Sequence, residues 1–427
     1  MRDARTLTRR REFLRTALGA GAALAVPCFI PGSVLGKNGA VPPSEKIAMG
    51  AIGIGARGSY DIGCFLEQPD VRIVANCDVR EERRNGVKHR VDQYYGNSDC
   101  TAYRDFRDLL ARPEIDAVLI TTGSNWHAPL SIYAAKAGKD VYCEKPCSKN
   151  IVESLELADA FRRTARVFQG GMQRRSLPGF QFAAELARQG KLGKLQTLYA
   201  HPCGLATKTS GWTRGQPEPS KERLDWDLFL GTAAWRPFDT AHLSAEFEKG
   251  GGMVGGGCME WGSHCIDQCQ WANRADDTVP VEYYPLENER ASAKYANGVK
   301  LVVRNDGWLP LGSCPVRYEG TDGWVEVGDS GQFALSSPSL LSGKKVEIVP
   351  NYPATPHVRN FLDCVKTRAA TRVTAQVACN THITCHAVNI AIYLNRKLAY
   401  DPKKNEFIGD DEANRFRGEA LRDPWRF

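Results

Sequence analysis

Ile47-Ala48-Met49-Gly50-Ala51-Ile52-Gly53-Ile54-Gly55-Ala56-Arg57-Gly58-Ser59-Tyr60 is the stretch on which the fold turns. The apolar run from Lys46 to Gly53 has the length of a buried strand. It enters a glycine-rich turn that opens a helical stretch reaching about Gln68. A G-x-G-x-x-G alone says little. Here an acid, Asp78, answers it twenty residues after Gly58, at the end of a second apolar run from Val71 to Val79. A dinucleotide needs that spacing. Gly53 permits the tight turn, Gly55 lets the backbone approach a pyrophosphate, and Gly58 lets helix and sheet pack closely. The helix start at Ala56 and Arg57 offers amides and a positive dipole end to phosphates. Asp78 can accept from ribose hydroxyls and repels a 2′-phosphate. NAD is therefore favoured over NADP, which Arg80 keeps open.

The alternation continues outward. A charged helix is expected over Arg80–Tyr95, a strand over Asp116–Thr122 and a helix over Ala128–Ala137. Then come a strand at Asp140–Cys143, a helix over Ser148–Arg163 and a strand at Val167–Gly170. This predicts an α/β Rossmann domain, a doubly wound parallel sheet, over residues 41–170. Residues 171–427 read differently. Strands are expected near Pro280–Tyr284, Arg290–Ala296, Lys300–Arg304, Val316–Glu319 and Trp324–Val327. The pairs Asn297-Gly298 and Asp322-Gly323 mark hairpin turns. Helices follow at Pro356–Arg368 and Ala375–Asn395. The reading is an α+β substrate and oligomerisation domain with an open, predominantly antiparallel sheet. The tail, Asp401–Phe427, is expected to run extended over the surface.

The chain of 427 residues is 42% hydrophobic and 25% charged, which excludes wholesale disorder and a multi-pass membrane protein. Residues 1–40 hold seven basic and two acidic residues, so they carry +5 of the net +7. The nearly neutral remainder argues against a nucleic-acid partner. Arg10-Arg11-Glu12-Phe13-Leu14, followed by a weakly apolar stretch from Ala17 to Val26, resembles a twin-arginine export signal. Residues 1–40 are read as that signal, with cleavage near Gly36 or Ala40. The mature protein is expected outside the cytoplasm without a membrane span. The fourteen cysteines are irregularly spaced and lack paired C-x-x-C knuckles. Most read as small buried hydrophobes, with one or two disulfides open.

Three clusters can carry chemistry. Glu144-Lys145-Pro146 follows a parallel strand, at the sheet edge where doubly wound folds bind ligands. Lys145 there can donate to a substrate hydroxyl, although a lysine is more often a solvated surface residue. Glu260, His264 and Asp267 fall at i, i+4 and i+7 of an expected helix, after glycines 250–252 and 255–257. His264 beside a carboxylate suits a general base, and a satisfied core histidine is the plain alternative. His382 and His386 lie four apart without a third ligand, so helix packing or substrate lining outweighs a metal site, and no metal is expected. Trp212 and Trp226 suit stacking on a carbohydrate.

In order and separation, these motifs resemble the Gfo/Idh/MocA oxidoreductase family: Gly53/Gly55/Gly58, Glu144-Lys145-Pro146 and Glu260-x-x-x-His264. The segments Asn125-Trp126-His127, Gly171-Met172-Gln173-Arg174-Arg175, Asp225-Trp226-Asp227 and Asn360-Phe361-Leu362-Asp363 resemble its exported, glucose–fructose oxidoreductase-like subgroup. The family's usual aspartate is Glu260 here. The resemblance implies a tightly bound nicotinamide cofactor in a cleft and a homo-oligomer formed on the open sheet. It further implies hydride transfer from a sugar, with Lys145 positioning the reacting hydroxyl and His264 taking its proton. Trp126, His127 and Glu144 would lie by the cofactor, and Arg174, Trp212 and Asp267 by the substrate. Two alternatives stay open. One is a redox-neutral, NAD-dependent glycosidase, whose usual tyrosine is missing from Gln173–Phe182. The other is a non-catalytic sugar-binding protein.

Overall fold

The computed structural model describes residues 41–202, 215–243, 258–287 and 290–426. Residues 1–40, read above as an export signal, Trp212 and the glycines 250–252 and 255–257 lie outside the described residues. Residues 41–46 carry one short 3-10 turn, Pro43–Glu45. From Ile47 onward the chain forms a single unit.

Its first sheet has six parallel strands in the order β3-β2-β1-β4-β5-β6. They are β1 (Ile47–Ile52), β2 (Val71–Cys77), β3 (Thr101–Tyr103), β4 (Ala117–Ile120), β5 (Asp140–Cys143) and β6 (Phe168–Gly170). β4 and β5 are buried at every position, as a parallel sheet covered on both faces requires. Strand order reverses between β1 and β4, which leaves a crevice at their carboxyl ends. Register aligns Ile52 with Ile120 and Ile120 with Cys143, so the loops after all three strands open onto it.

The second sheet has nine strands in the order β13-β12-β11-β7-β10-β9-β8-β14-β15. They are β7 (Leu195–Ala200), β8 (Glu282–Leu286), β9 (Arg290–Lys294), β10 (Lys300–Val303), β11 (Val316–Gly320), β12 (Trp324–Val327), β13 (Phe333–Leu335), β14 (Leu398–Asp401) and β15 (Glu406–Phe407). β7 and β10 pair parallel and the other pairs run antiparallel. Residues alternate between buried and part-exposed along β9 and β10, so one face meets the core. Helices Pro178–Arg188, Gly262–Ala272 and Ala375–Leu394 cover that face.

The two halves share a core. Helix Thr355–Thr367 belongs to the second half by sequence, yet Val358, Phe361 and Leu362 join the cluster of Ile47, Phe65 and Tyr142. Arg359 grips Asp70 through two hydrogen bonds of 2.7 and 2.9 Å, and Lys366 adds one of 2.6 Å. Although burial opposes ionisation, these cations hold the Asp70 carboxyl down at about 2. The tail departs from its expected extended form. It supplies β15 and helix Asp411–Arg415, and it buries Trp425 to 4% exposure. An apolar side chain that finds a pocket fixes a chain that local polarity leaves free. Among the described residues, all cysteines are unpaired and buried, and no helix is long and apolar enough to cross a membrane.

Candidate active site

The glycine loop sits where β1 ends. Gly53 has φ +75, and a Cβ there would fall 2.3 Å from Thr122. At Gly58 a Cβ would fall 2.2 Å from Thr121 Oγ1. Neither position tolerates a side chain, for reasons of conformation and of close packing respectively. Gly55 faces open space, its nearest neighbour being Arg83 at 3.6 Å. The helix behind it, Ala56–Leu66, has no side-chain cap, so its first amides are left for a ligand. Asp78 accepts from the Ile54 amide at 2.7 Å and the Arg80 amide at 2.8 Å. Its carboxylate therefore also fixes the loop. Arg80, Arg83 and Arg104 line the cleft on this side, a basic rim around one acid.

The cleft occupies about 510 Å³ and runs from that rim to Lys145, Glu260, Trp261, His264 and Tyr352. Glu144 holds its near wall together. It accepts from Arg57 at 3.0 Å and from the Lys145 amide at 3.2 Å, and it packs so tightly on Gly171 that a Cβ there would fall 2.4 Å away. Lys145 Nζ donates to Glu260 Oε1 at 2.6 Å and lies 5.8 Å from the Trp261 ring. His264 lies in the first turn of helix Gly262–Ala272, and its Nδ1 is buried without a hydrogen-bond partner. Burial, then the charges of Arg174, Lys145 and Arg57, push its pKa well below the ordinary value. His264 is thus neutral at physiological pH. Glu260 precedes this helix and pairs with Lys145.

His127 and Trp126 both line the cleft. His127 bridges two loops, with Nδ1 at 2.7 Å from the Pro146 carbonyl and Nε2 at 3.1 Å from that of Thr122. Two residues read as substrate contacts do not line it. Asp267 is bound by Arg175 Nε at 2.8 Å and Nη2 at 2.7 Å, with Thr381 at 3.2 Å. Its place at i+3 from His264 turns it inward to that buried cation. Arg174 is fully buried and bidentate on Asp329, at 2.7 and 2.6 Å. Its guanidinium backs Tyr352 at 4.8 Å and Trp261 at 5.9 Å, so it supports the aromatic wall from behind. His382 is also structural. It donates through Nδ1 to the Ala378 carbonyl and accepts at Nε2 from the Cys147 amide at 3.0 Å, which pins the turn after Lys145-Pro146. Among the described residues no three metal-ligating side chains cluster.

Sequence reasoning missed Tyr352, which enters the cleft from a turn where Asn351 and Tyr352 take φ of 63 and 40. Pro350-Asn351 was the available signal, since asparagine tolerates left-handed backbone. Leu228 and Phe229 were missed because they reach the cleft only through tertiary folding.

The buried histidines carry a pH prediction. Burial pushes His357 down to about 3, His382 to about 4 and His386 to about 3. They are neutral when folded and regain an ordinary value of about 6.5 when unfolded. Their stabilisation is full above that value and is lost as pH falls. Glu153, pushed up to about 7 by burial, works in the opposite sense and offsets one of them. Near pH 5, these four groups together are expected to take up about two protons on unfolding, a contribution of roughly 3 kcal/mol of stability per pH unit. Calorimetry in buffers of differing ionisation enthalpy measures the uptake. A melting temperature that rises from pH 7 to pH 5 contradicts it.

Comparison with known proteins agrees with this geometry. The Gfo/Idh/MocA profile described as an NAD-binding Rossmann fold matches residues 47–172, and that described as the C-terminal alpha/beta domain matches residues 194–427. The chain belongs to the Gfo/Idh/MocA oxidoreductase family. A myo-inositol 2-dehydrogenase of Thermotoga maritima is 31% identical over 150 residues, 35% of this chain and 43% of that one. A glycosyl hydrolase family 109 protein of Saccharopolyspora erythraea is 32% identical over 174 residues, 37% of each chain. The match thus spans less than half the length of either relative. The crystal structure of a myo-inositol 2-dehydrogenase from Lactobacillus plantarum superposes with a TM-score of 0.59 at 19% identity, over 83% of this chain and all of that one. At that identity the likeness is one of fold.

Proposed function

We propose that this protein is a nicotinamide-dependent oxidoreductase of the exported, glucose–fructose oxidoreductase-like subgroup, acting on a sugar, polyol or glycoside. Lys145, Glu260 and His264 meet in the cleft that the dinucleotide loop opens, and this one observation carries the reading. The Gly53 turn, the open side of Gly55 and the uncapped helix start fit a dinucleotide. Loop amides and Asp78 would hold it, with Trp126 and His127 toward its reactive end. A nicotinamide bound there supplies the hydride acceptor.

Lys145, held by Glu260, orients the substrate hydroxyl by donating to its oxygen. Neutral His264 takes the hydroxyl proton. Trp261 and Tyr352 flank the sugar and reduce water access. Substrate and a homo-oligomer on the open sheet are part of the same proposal. So is twin-arginine export, which moves folded proteins and lets the cofactor be loaded first.

A second reading is the redox-neutral glycosidase. Tyr352 favours it, because it supplies the phenol missing from Gln173–Phe182, and a glycosyl hydrolase family 109 protein is among the relatives. One experiment separates the readings. Protein recovered with its signal is denatured and the released nucleotide identified by mass spectrometry. Fresh protein is then mixed with a sugar and glycoside panel while reduced-nicotinamide absorbance is followed. Bound NAD that one sugar reduces and a second reoxidises supports the oxidoreductase. Cleaved glycoside with no net reduction supports the glycosidase. No bound nucleotide, even with NAD added, leaves a binding protein.

The cofactor preference has its own test. Asp78→Ala removes the acid that faces a 2′-phosphate and leaves Arg80, Arg83 and Arg104 in place. The ratio of NAD to NADP affinity should fall by about tenfold or more, one charge interaction of roughly 1.4 kcal/mol. Titration with both nucleotides reads it, and an unchanged ratio sinks the ribose assignment.

A further inference from the structure

We propose that the C-terminal tail is a latch on the dinucleotide cleft, and that Arg422 and Trp425 are positioning residues that set how long the nucleotide stays bound. The inference rests on the nucleotide-binding reading above.

One wall of the cleft is a strap from the second half of the chain, the short helix Trp226–Leu230, which contributes Leu228 and Phe229. The strap is tied to cleft residues. Trp126 Nε1 donates to the Leu228 carbonyl at 2.6 Å, and Asn125 Nδ2 donates to that of Leu230 at 2.8 Å. Gly231, at φ +52, lies so close to the Trp126 indole that a Cβ would fall 2.2 Å from it.

The tail closes over these parts from outside. Arg422 Nε donates to the Gly231 carbonyl at 2.9 Å, Nη2 to the Asp227 carbonyl at 2.8 Å, and Nη1 to the Asp227 carboxylate at 2.5 Å. A guanidinium at the carbonyl end of a helix is favourably placed, and here it also fixes the turn that leaves the helix. Trp425 packs edge-on against Trp126 at 5.0 Å and lies 6.3 Å from Phe106, another cleft-lining ring. The Arg107 guanidinium lies 5.4 Å over its indole, and Tyr133 hydroxyl donates to the Arg426 carbonyl.

Strap and Trp126 thus line the cleft on one side and meet the tail on the other. A nucleotide leaving past Leu228 and Phe229 must displace the strap, and the tail holds the strap down. A tail that served stability alone would influence melting of the empty protein. A latch influences the rate at which nucleotide leaves.

The test uses the full chain and whichever of NADH and NADPH the wild type binds. Dissociation is followed by loss of tryptophan-to-nicotinamide energy transfer after mixing with excess oxidised nucleotide. Melting of nucleotide-free protein is measured alongside. Arg422→Ala and Trp425→Ala are each expected to speed dissociation by roughly tenfold or more, with association changed much less. Trp425→Phe keeps an aromatic ring and should return the rate to within about threefold of wild type. Should Trp425→Ala fail to fold, Arg422→Ala decides, since Arg422 belongs to no apolar core and the hydrogen bonds its side chain makes go to the strap. Dissociation from Arg422→Ala within about twofold of wild type overturns the latch. A wild-type chain that binds neither nucleotide overturns the cofactor reading and the latch with it.

Discussion

His264→Ala is expected to lower kcat by roughly 10² to 10⁴ at neutral pH while leaving bound nucleotide at the wild-type level. The reason is electrostatic. The imidazole is buried with an unpartnered Nδ1, and burial together with three nearby cations disfavours its protonated form. It is unprotonated at neutral pH and needs no other group to deprotonate it. Losing it would remove the proposed proton acceptor but touches neither the glycine loop nor Asp78. The loss should therefore fall on kcat, with retention unchanged. Lys145→Ala should act differently. In the proposed mechanism Lys145, itself held by Glu260, would hold the substrate oxygen, so KM should rise as kcat falls. Glu260→Asp tests the family departure, because shortening the acid by one methylene shifts Lys145. Steady-state kinetics on a substrate taken from the panel, paired with nucleotide quantification, checks all three. Near-normal turnover of His264→Ala sinks the base assignment.

Much of this site was legible because local chemistry encodes it. The glycine turn must have a positive φ and a bare Cα where helix meets strand, and Gly53 and Gly58 are placed so. The edge where Glu144 and Lys145 emerge follows from counting strands. What the sequence hid was depth and partner. Asp267 and Arg174 read as substrate contacts, yet each is matched to a charge distant in sequence, Arg175 and Asp329. No spacing rule reveals such pairing. The short strands β3, β14 and β15 and the buried Trp425 were illegible for a related reason. Their apolar content is too small to show a period, and they form only because a finished surface receives them.

Arg175→Leu is expected to destabilise the fold by about 3 to 5 kcal/mol at neutral pH, lowering the melting temperature by about 5 °C or more in a chain of this size. The argument is one of asymmetry. Arg175 has two carboxylate partners, Asp267 and the more exposed Asp276. Deleting Asp267 leaves the guanidinium one of them. Deleting Arg175 leaves Asp267 fully buried, with the Thr381 hydroxyl and the Gln268 amide as its remaining donors. Asp267→Asn should therefore cost clearly less than Arg175→Leu, although it removes the same ion pair. The pH dependence follows from the same burial. The Asp267 carboxyl is already raised by burial, with Arg175 opposing the shift. Without Arg175 it rises further, and the group protonates at low pH. A carboxyl raised in the folded state contributes stability that is lost as pH climbs through its folded value. The penalty in Arg175→Leu should thus be smaller near pH 5 than near pH 8. Denaturant melts of both variants at those two pH values measure it. Equal penalties for the two variants, or one that shrinks as pH rises, would mean that Asp267 is not the buried charge on which this packing depends.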